Sequence, residues 1–264
     1  MTRVPGLVAL DVDGTLVDGA NQMTDAVRDA VLAIRDAGAH VVISTGRSIH
    51  GVMDAVGKLG LDEGIAVASN GSVVFTYDAT GAFEVVHQVT FDASQAVKLV
   101  LDHVPDAAVA VEEIGVGWRI NKPFPDGEIN GVMTEQTIDE LVGQPVTRVI
   151  VRSPESSPED FTVLAEQLGL AGTNYFVGYT AWLDLAPEGV SKASGLEVVC
   201  ERLGVAQADV LAVGDGHNDV EMLRWAGRGV AMGESPTDVL DAADAVTATL
   251  EDDGTAVELR RYLS

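Results

Sequence analysis

Two short acidic motifs carry most of the chemical content of this chain. Asp11-Val12-Asp13-Gly14-Thr15-Leu16 follows the apolar run Leu7-Val8-Ala9-Leu10, and Asp215-Gly216-His217-Asn218-Asp219 follows Val210-Leu211-Ala212-Val213. A short apolar run bounded by a loop reads as a buried strand. The carboxyl ends of such strands are where open α/β sheets bind ligands. Four specified residues at about one in twenty each recur by chance roughly once in 10⁵ starts, so the first motif is not an accident of composition. Asp11 and Asp13 would point oppositely in a continued strand but can converge in a loop leaving it. If the two strands are neighbours, Asp11, Asp13, Asp215 and Asp219 crowd into one pocket. Two carboxylates about 4 Å apart repel by ~4 kcal/mol at an effective dielectric near 20, so four of them need a counter-ion. Hard oxygen donors with no His/Cys set at zinc spacing point to Mg²⁺.

Three further positions could complete a phosphate site. Thr45-Gly46 ends the apolar run Val41-Val42-Ile43 and offers a hydroxyl and exposed backbone N–H groups beside a helix start, which suits phosphate oxygens. Lys192 is one of four lysines in the chain and lies just before a helical stretch; taken alone it reads as an ordinary surface lysine. His217 is a tempting base, but a single loop histidine reads more readily as structural.

The elements that must hold these residues alternate. Gly6–Leu10, Val41–Ile43 and Ile65–Ala68 read as buried strands, with helices over Thr24–Ala37, capped by Thr24 and stopped by Gly38, and over Ile49–Leu59. This rhythm predicts a parallel sheet with right-handed crossovers. Ser72–Tyr77 and Ala82–Thr90 then alternate around Asp78-Ala79-Thr80-Gly81 as a hairpin. Helices over Ala93–Val104, Thr137–Leu141 and Pro158–Leu168 follow, mixed with strands at Ala108–Glu112, Gly117–Asn121, Val146–Arg152, Tyr175–Gly178 and Trp182–Leu185. The βα rhythm resumes with a helix over Ser194–Leu203, a strand at Val210–Val213, a helix over Asp219–Ala226, a strand at Gly229–Met232 and a helix over Thr237–Ala242. An α/β core is therefore interrupted by an α+β insertion, with boundaries near residues 82 and 187.

Composition narrows the classes. The chain has 264 residues, 47% of them hydrophobic and 5% aromatic, enough for a large aliphatic core. The formal charge is −25, from 41 acidic and 16 basic residues. With no Lys/Arg cluster, nucleic acid is not an expected partner. No apolar stretch reaches the length of a membrane span, and Asp11 comes too early for a secretory signal. The single Cys200 excludes an internal disulfide and reads as a buried thiol. The expected location is the cytoplasm, with no membrane partner; the oligomeric state stays open.

Taken together, Asp11-Val12-Asp13-Gly14-Thr15, Ser44-Thr45-Gly46-Arg47, Lys192 and Gly214-Asp215-Gly216-His217-Asn218-Asp219 stand in the order of the four motifs of the haloacid-dehalogenase superfamily of phosphohydrolases, which the chain resembles. Asn70-Gly71 and the long insertion resemble its Cof-type branch with a C2 cap. The resemblance implies a Rossmann-like parallel-sheet core (residues 1–82 and 187–264) with an inserted α+β cap (residues 83–186) that closes over the cleft. It implies Asp11 as nucleophile and Asp13 as general acid/base. It also implies Mg²⁺ held by the Asp11 carboxylate, the Asp13 carbonyl and Asp215, with Asp219 in support, and the phosphoryl group held by Thr45, Gly46, Lys192 and Asn218. The expected activity is Mg²⁺-dependent hydrolysis of a small phosphate monoester, such as a sugar phosphate, through an aspartyl-phosphate. A phosphomutase and a non-catalytic phosphate-binding module are the alternatives. The cap transfers nothing about substrate; Trp118, Arg119 and Trp182 read as packing or surface residues more readily than as ligands.

Overall fold

The computed structural model describes residues 3–125, 127–153, 163, 173–177 and 182–263. The chain divides into two compact units: Met1–Arg47, Val52–His87 and Ser191–Ser264 form the first, and Ser48–Gly51 with Gln88–Val190 the second. In chain order the elements are β1 (Leu7–Leu10), α1 (Asp25–Asp36), β2 (His40–Ile43), α2 (Ile49–Leu59), β3 (Gly64–Ala68), β4 (Val73–Tyr77), β5 (Phe83–Gln88), α3 (Ser94–His103), β6 (Ala108–Glu113), β7 (Gly117–Ile120) and β8 (Val132–Glu135). There follow α4 (Ile138–Leu141), β9 (Val149–Arg152), β10 (Thr173–Val177), β11 (Trp182–Pro187), α5 (Lys192–Leu203), β12 (Val210–Gly214), α6 (Val220–Trp225), β13 (Arg228–Ala231), α7 (Thr237–Ala242), β14 (Ala245–Val246) and α8 (Gly254–Arg260).

The first unit is built on a parallel sheet in the order β14-β13-β12-β1-β2. The β1 and β12 strands are buried on both faces, as their unbroken apolar runs require. Register sets the function: Leu10 lies opposite both Val213 and Ile43. The chain therefore leaves β1, β12 and β2 at one level, and the residues just beyond them become neighbours. Thr24 caps α1 by accepting a hydrogen bond from the Val27 N–H at 3.2 Å, and Val27, Ala30, Val31 and Ile34 form its buried stripe.

The third strand departs from the sequence expectation. It pairs antiparallel with β4 in a three-stranded sheet β3-β4-β5 and runs parallel beside the end of β2 through the bridge Ser44–Val67. The cause is local: Ser69 and Asn70 take left-handed conformations (φ 51° and 54°), which turn the chain back so that Val73–Tyr77 pairs with the strand just completed. Helix α5 also begins two residues earlier than expected. Ser191 and Ser194 cap it reciprocally, each side chain bonding the other's backbone N–H, so Lys192 is its first residue.

The second unit holds a sheet ordered β10-β11-β9-β6-β7-β8, antiparallel at every pairing except β7 with β8. One face carries Val109, Val111, Val149, Val151, Leu183 and Leu185 against Val97 and Val100 of α3 and Leu141 of α4. The other carries Ala108, Ala110, Trp118, Ile120 and Ile150 with Phe124 and Ile129. The helix expected at Pro158–Leu168 lies, apart from Val163, outside the described residues, as does Gly178. Among the described residues, no helix is long and apolar enough to cross a membrane.

Candidate active site

Asp11 is the first residue beyond β1, and its N–H donates to the Val213 carbonyl at 3.1 Å, continuing the ladder one step into the loop. Its side chain is buried and meets the Lys192 ammonium, Oδ1 to Nζ 2.7 Å. Lys192 is fully buried and reaches in the other direction to Asp219 Oδ1 at 2.6 Å. The reading of Lys192 as a surface lysine fails for this reason: a lysine at the first turn of a buried-face helix aims its whole stem inward, and two carboxylates receive it.

Asp219 has both oxygens engaged. Oδ2 accepts from the N–H groups of Asp215 and Gly216 at 3.0 and 2.9 Å, while Oδ1 takes Lys192. It therefore shapes the loop after β12 and anchors the lysine. Asp215 is steered by Thr15, whose hydroxyl donates to Asp215 Oδ1 at 3.1 Å. Thr15 in turn has its carbonyl bonded by the buried Thr255 hydroxyl of α8 at 2.7 Å. Gly14 sits at φ 75° where any side chain would overlap the Asp215 carboxylate, so glycine is required by both backbone and space.

Asp11, Asp215 and Asp219 present carboxylate oxygens within 4.8 Å of one another. Burial, reinforced by Asp219 and opposed by Lys192, holds the Asp11 carboxyl well above its ordinary range. Burial and Asp219 likewise push Asp215 up to about 7. Burial alone would lower the Lys192 ammonium, but Asp11 and Asp219 outweigh it and raise its proton affinity. Three clustered carboxylates thus share one ammonium, and two of them bind protons abnormally tightly. Such a donor set fits a hard divalent cation.

Asp13 stands apart from this cluster. Its side chain is 62% exposed and is gripped by Arg47, Nε to Oδ2 2.9 Å and Nη2 to Oδ1 2.5 Å. Thr45, beyond β2, accepts the Arg47 N–H at its hydroxyl, 3.2 Å. Gly46 lies against two amide side chains: a Cβ there would stand 3.1 Å from Asn70 Oδ1 and 3.5 Å from Asn218 Nδ2. Asn218 Nδ2 donates to Asn70 Oδ1 at 3.0 Å. The residues expected from sequence therefore fall into three groups: Asp11, Asp215, Asp219 and Lys192 in the first, Thr45, Gly46 and Asn218 around Asn70 in the second, and Asp13 on Arg47 in the third. Arg47, Asn70 and Thr15 stand in the sequence motifs without an expected role, and the structure gives each a contact. His217 bonds Asp238 at an exposed site, Nδ1 to Oδ2 2.7 Å. Trp118 is buried in the second unit's core, and Arg119 lies beside Gln136 and Glu140.

A profile of the haloacid dehalogenase-like hydrolases matches residues 8–259. The phosphoglycolate phosphatase of Natronomonas pharaonis is 31% identical over 247 residues, covering 94% of this chain and 93% of that one. The 5-amino-6-(5-phospho-D-ribitylamino)uracil phosphatase YitU of Bacillus subtilis is 29% identical over 282 residues, across 100% of both chains. Among solved structures, the phosphatase BT1666 of Bacteroides thetaiotaomicron superposes with a TM-score of 0.77 at 26% identity, covering 99% of this chain and 96% of that one.

Proposed function

The chain belongs to the haloacid dehalogenase-like hydrolases, in their Cof-type branch, and is a phosphatase; from that premise we propose that it hydrolyses small phosphate monoesters, Mg²⁺-dependently, through an aspartyl-phosphate on Asp11. The observation that carries this reading is the buried Asp11 carboxylate at the end of β1, oriented by Lys192 beside Asp215. An Asp11 oxygen attacks phosphorus, the ester P–O bond breaks, and Asp13 gives its proton to the leaving oxygen. Asp13 then takes a proton from water, whose oxygen attacks phosphorus and breaks the acyl-phosphate bond. Asp11, the Asp13 carbonyl and Asp215 would hold Mg²⁺, which supplies charge neutralisation to the phosphoryl oxygens. Lys192 keeps Asp11 aimed and, with Thr45, Gly46 and Asn218, receives the phosphoryl oxygens.

The exposure of Asp13 supports hydrolysis over mutase chemistry, because the group that activates water is open to it. We assign residues 1–82 and 187–264 to catalysis and residues 83–186 to selecting the leaving group. The two relatives named above act on unlike esters, so the substrate proposal stops at a sugar phosphate or related metabolite. Phosphate release from 4-nitrophenyl phosphate tests the core of this reading. It should require Mg²⁺ and vanish in excess chelator; full activity in chelator overturns the metal requirement.

A further inference from the structure

The guanidinium of Arg47 grips Asp13 at both oxygens, Nε to Oδ2 2.9 Å and Nη2 to Oδ1 2.5 Å. Behind it, Asn21 Oδ1 accepts from both Nη1 and Nη2 at 3.1 Å. Asn21 sits in a left-handed conformation (φ 58°) and donates its own amide N–H to Asp54 Oδ2 at 2.9 Å. Asp54 lies 3.7 Å from Arg47 Nη1 and is itself paired with Lys58. The Arg47 side chain is 21% exposed against 62% for Asp13. An ordinary surface ion pair joins two mobile side chains and orders neither. Here one partner is fixed from behind by a residue in a strained backbone conformation, and the other is the exposed group it holds. A fork of parallel N–H donors also fixes the plane of a carboxylate, which a point charge does not.

We infer that Arg47, braced by Asn21 and Asp54, is the positioning residue for Asp13, fixing the plane of its carboxyl group for proton transfer to the leaving oxygen. The inference rests on the reading of Asp13 as the acid/base group. Displacing a catalytic group by about 1 Å costs up to ~10²-fold in rate, and an exposed aspartate has two free torsions through which to drift. Arg47 shares its loop with Thr45 and Gly46, so one short segment would set both the phosphate contacts and the acid.

The test is kcat/KM, which reports the phosphorylation half-reaction, on a simple alkyl phosphate and on 4-nitrophenyl phosphate. The alkoxide must be protonated as it leaves; 4-nitrophenolate need not be. Arg47→Ala should lower kcat/KM for the alkyl ester by about tenfold or more beyond any loss on the aryl ester. Added guanidinium ion should recover part of that difference. Asn21→Ala should shift the same ratio by less, and Arg47→Lys, which keeps charge without the fork, should restore it incompletely. These two variants carry the test if Arg47→Ala does not fold. Equal losses on both esters with weaker inhibition by inorganic phosphate would make Arg47 a phosphate ligand and overturn the inference, as would an unchanged ratio. Asp13→Asn is the reference: if it shows no preference for sparing the aryl ester, the reading of Asp13 itself fails, and the inference with it.

Discussion

The two units each bury ionised groups, and they do so in opposite ways. In the second unit, Arg148 donates from Nε and Nη2 to both oxygens of Asp184 at 2.6–3.0 Å, and its guanidinium lies 5.5 Å from the centre of the Trp118 ring. Burial raises the Asp184 carboxyl, and Arg148 opposes that shift. In the first unit, one ammonium serves two carboxylates directly and a third lies within 4.8 Å of both. The second unit's pair is closed on itself by three hydrogen bonds, although the buried Glu112 also acts on Arg148. The unmatched site keeps negative charge that only a cation or protons can offset. Both sites are buried; what separates them is that one cation grips both oxygens of a single carboxylate in the second unit and is divided between two carboxylates beside a third in the first.

Deleting the cation on each side sharpens the contrast. Lys192→Met should show the largest effect: it strands Asp11 and Asp219 in the interior, costing about 3–5 kcal/mol of stability, and it lowers kcat by about 10²-fold or more through loss of Asp11 alignment. Urea unfolding and phosphate release measure the two losses. Arg148→Met should lose a similar ~3–5 kcal/mol but leave turnover of 4-nitrophenyl phosphate by the folded protein within about threefold. Adding Asp184→Leu to Arg148→Met should recover part of that stability, because the pair can be replaced by apolar packing while the buried Glu112 still loses the cation that acts on it. No such second substitution should restore activity to Lys192→Met.

A smaller effect lies in pH. Asp215 titrates at about 7 in the folded, metal-free protein, against an ordinary value near 3.8, and Asp11 shifts the same way. Between these values the folded state binds protons that the unfolded chain has released. The metal-free protein should therefore lose stability as pH rises from about 5.5 to 8, by several degrees in Tm. That window stays above the range where the lowered carboxyls of Asp54, Asp78 and Asp238 would protonate. Mg²⁺ at pH ~8 should restore the lost degrees, and Asp215→Asn should flatten the slope. A metal-free Tm that rises over this window would contradict the cluster's electrostatics.

Much of this was legible because strands buried on both faces write themselves as apolar runs. Leu7–Leu10 and Val210–Val213 announced their own ends, and the acidic motifs began there. Strand β8 was not legible: Val132, Met133, Thr134 and Glu135 are all exposed, so nothing in their pattern records a buried face. Nor was α8: Asp253 is a residue type that caps helices, but here it is left-handed and its side chain makes no capping bond. Its contribution, the Thr255 hydroxyl on the Thr15 carbonyl, spans 240 positions and has no local signature. The same limit hid Arg47's role. Its side chain reads as one more arginine until the fold brings Asp13 and Asn21 to it. Loops that follow unmistakable buried strands can be brought together from sequence, as Asp11 and Asp215 were; contacts such as Arg47 with Asn21, whose loop has no such strand before it, show only in the structure.

The central claim is that Asp11 becomes phosphorylated during turnover, and borohydride trapping addresses it directly. The enzyme is mixed with Mg²⁺ and a small phosphate donor, reduced during steady state, and the peptide containing residue 11 is sequenced by mass spectrometry. An acyl phosphate at Asp11 is reduced to homoserine, so homoserine should appear at that position only with donor present and not in Asp11→Asn. Turnover that proceeds with no homoserine at position 11, or with the modification at another carboxylate, would contradict the account.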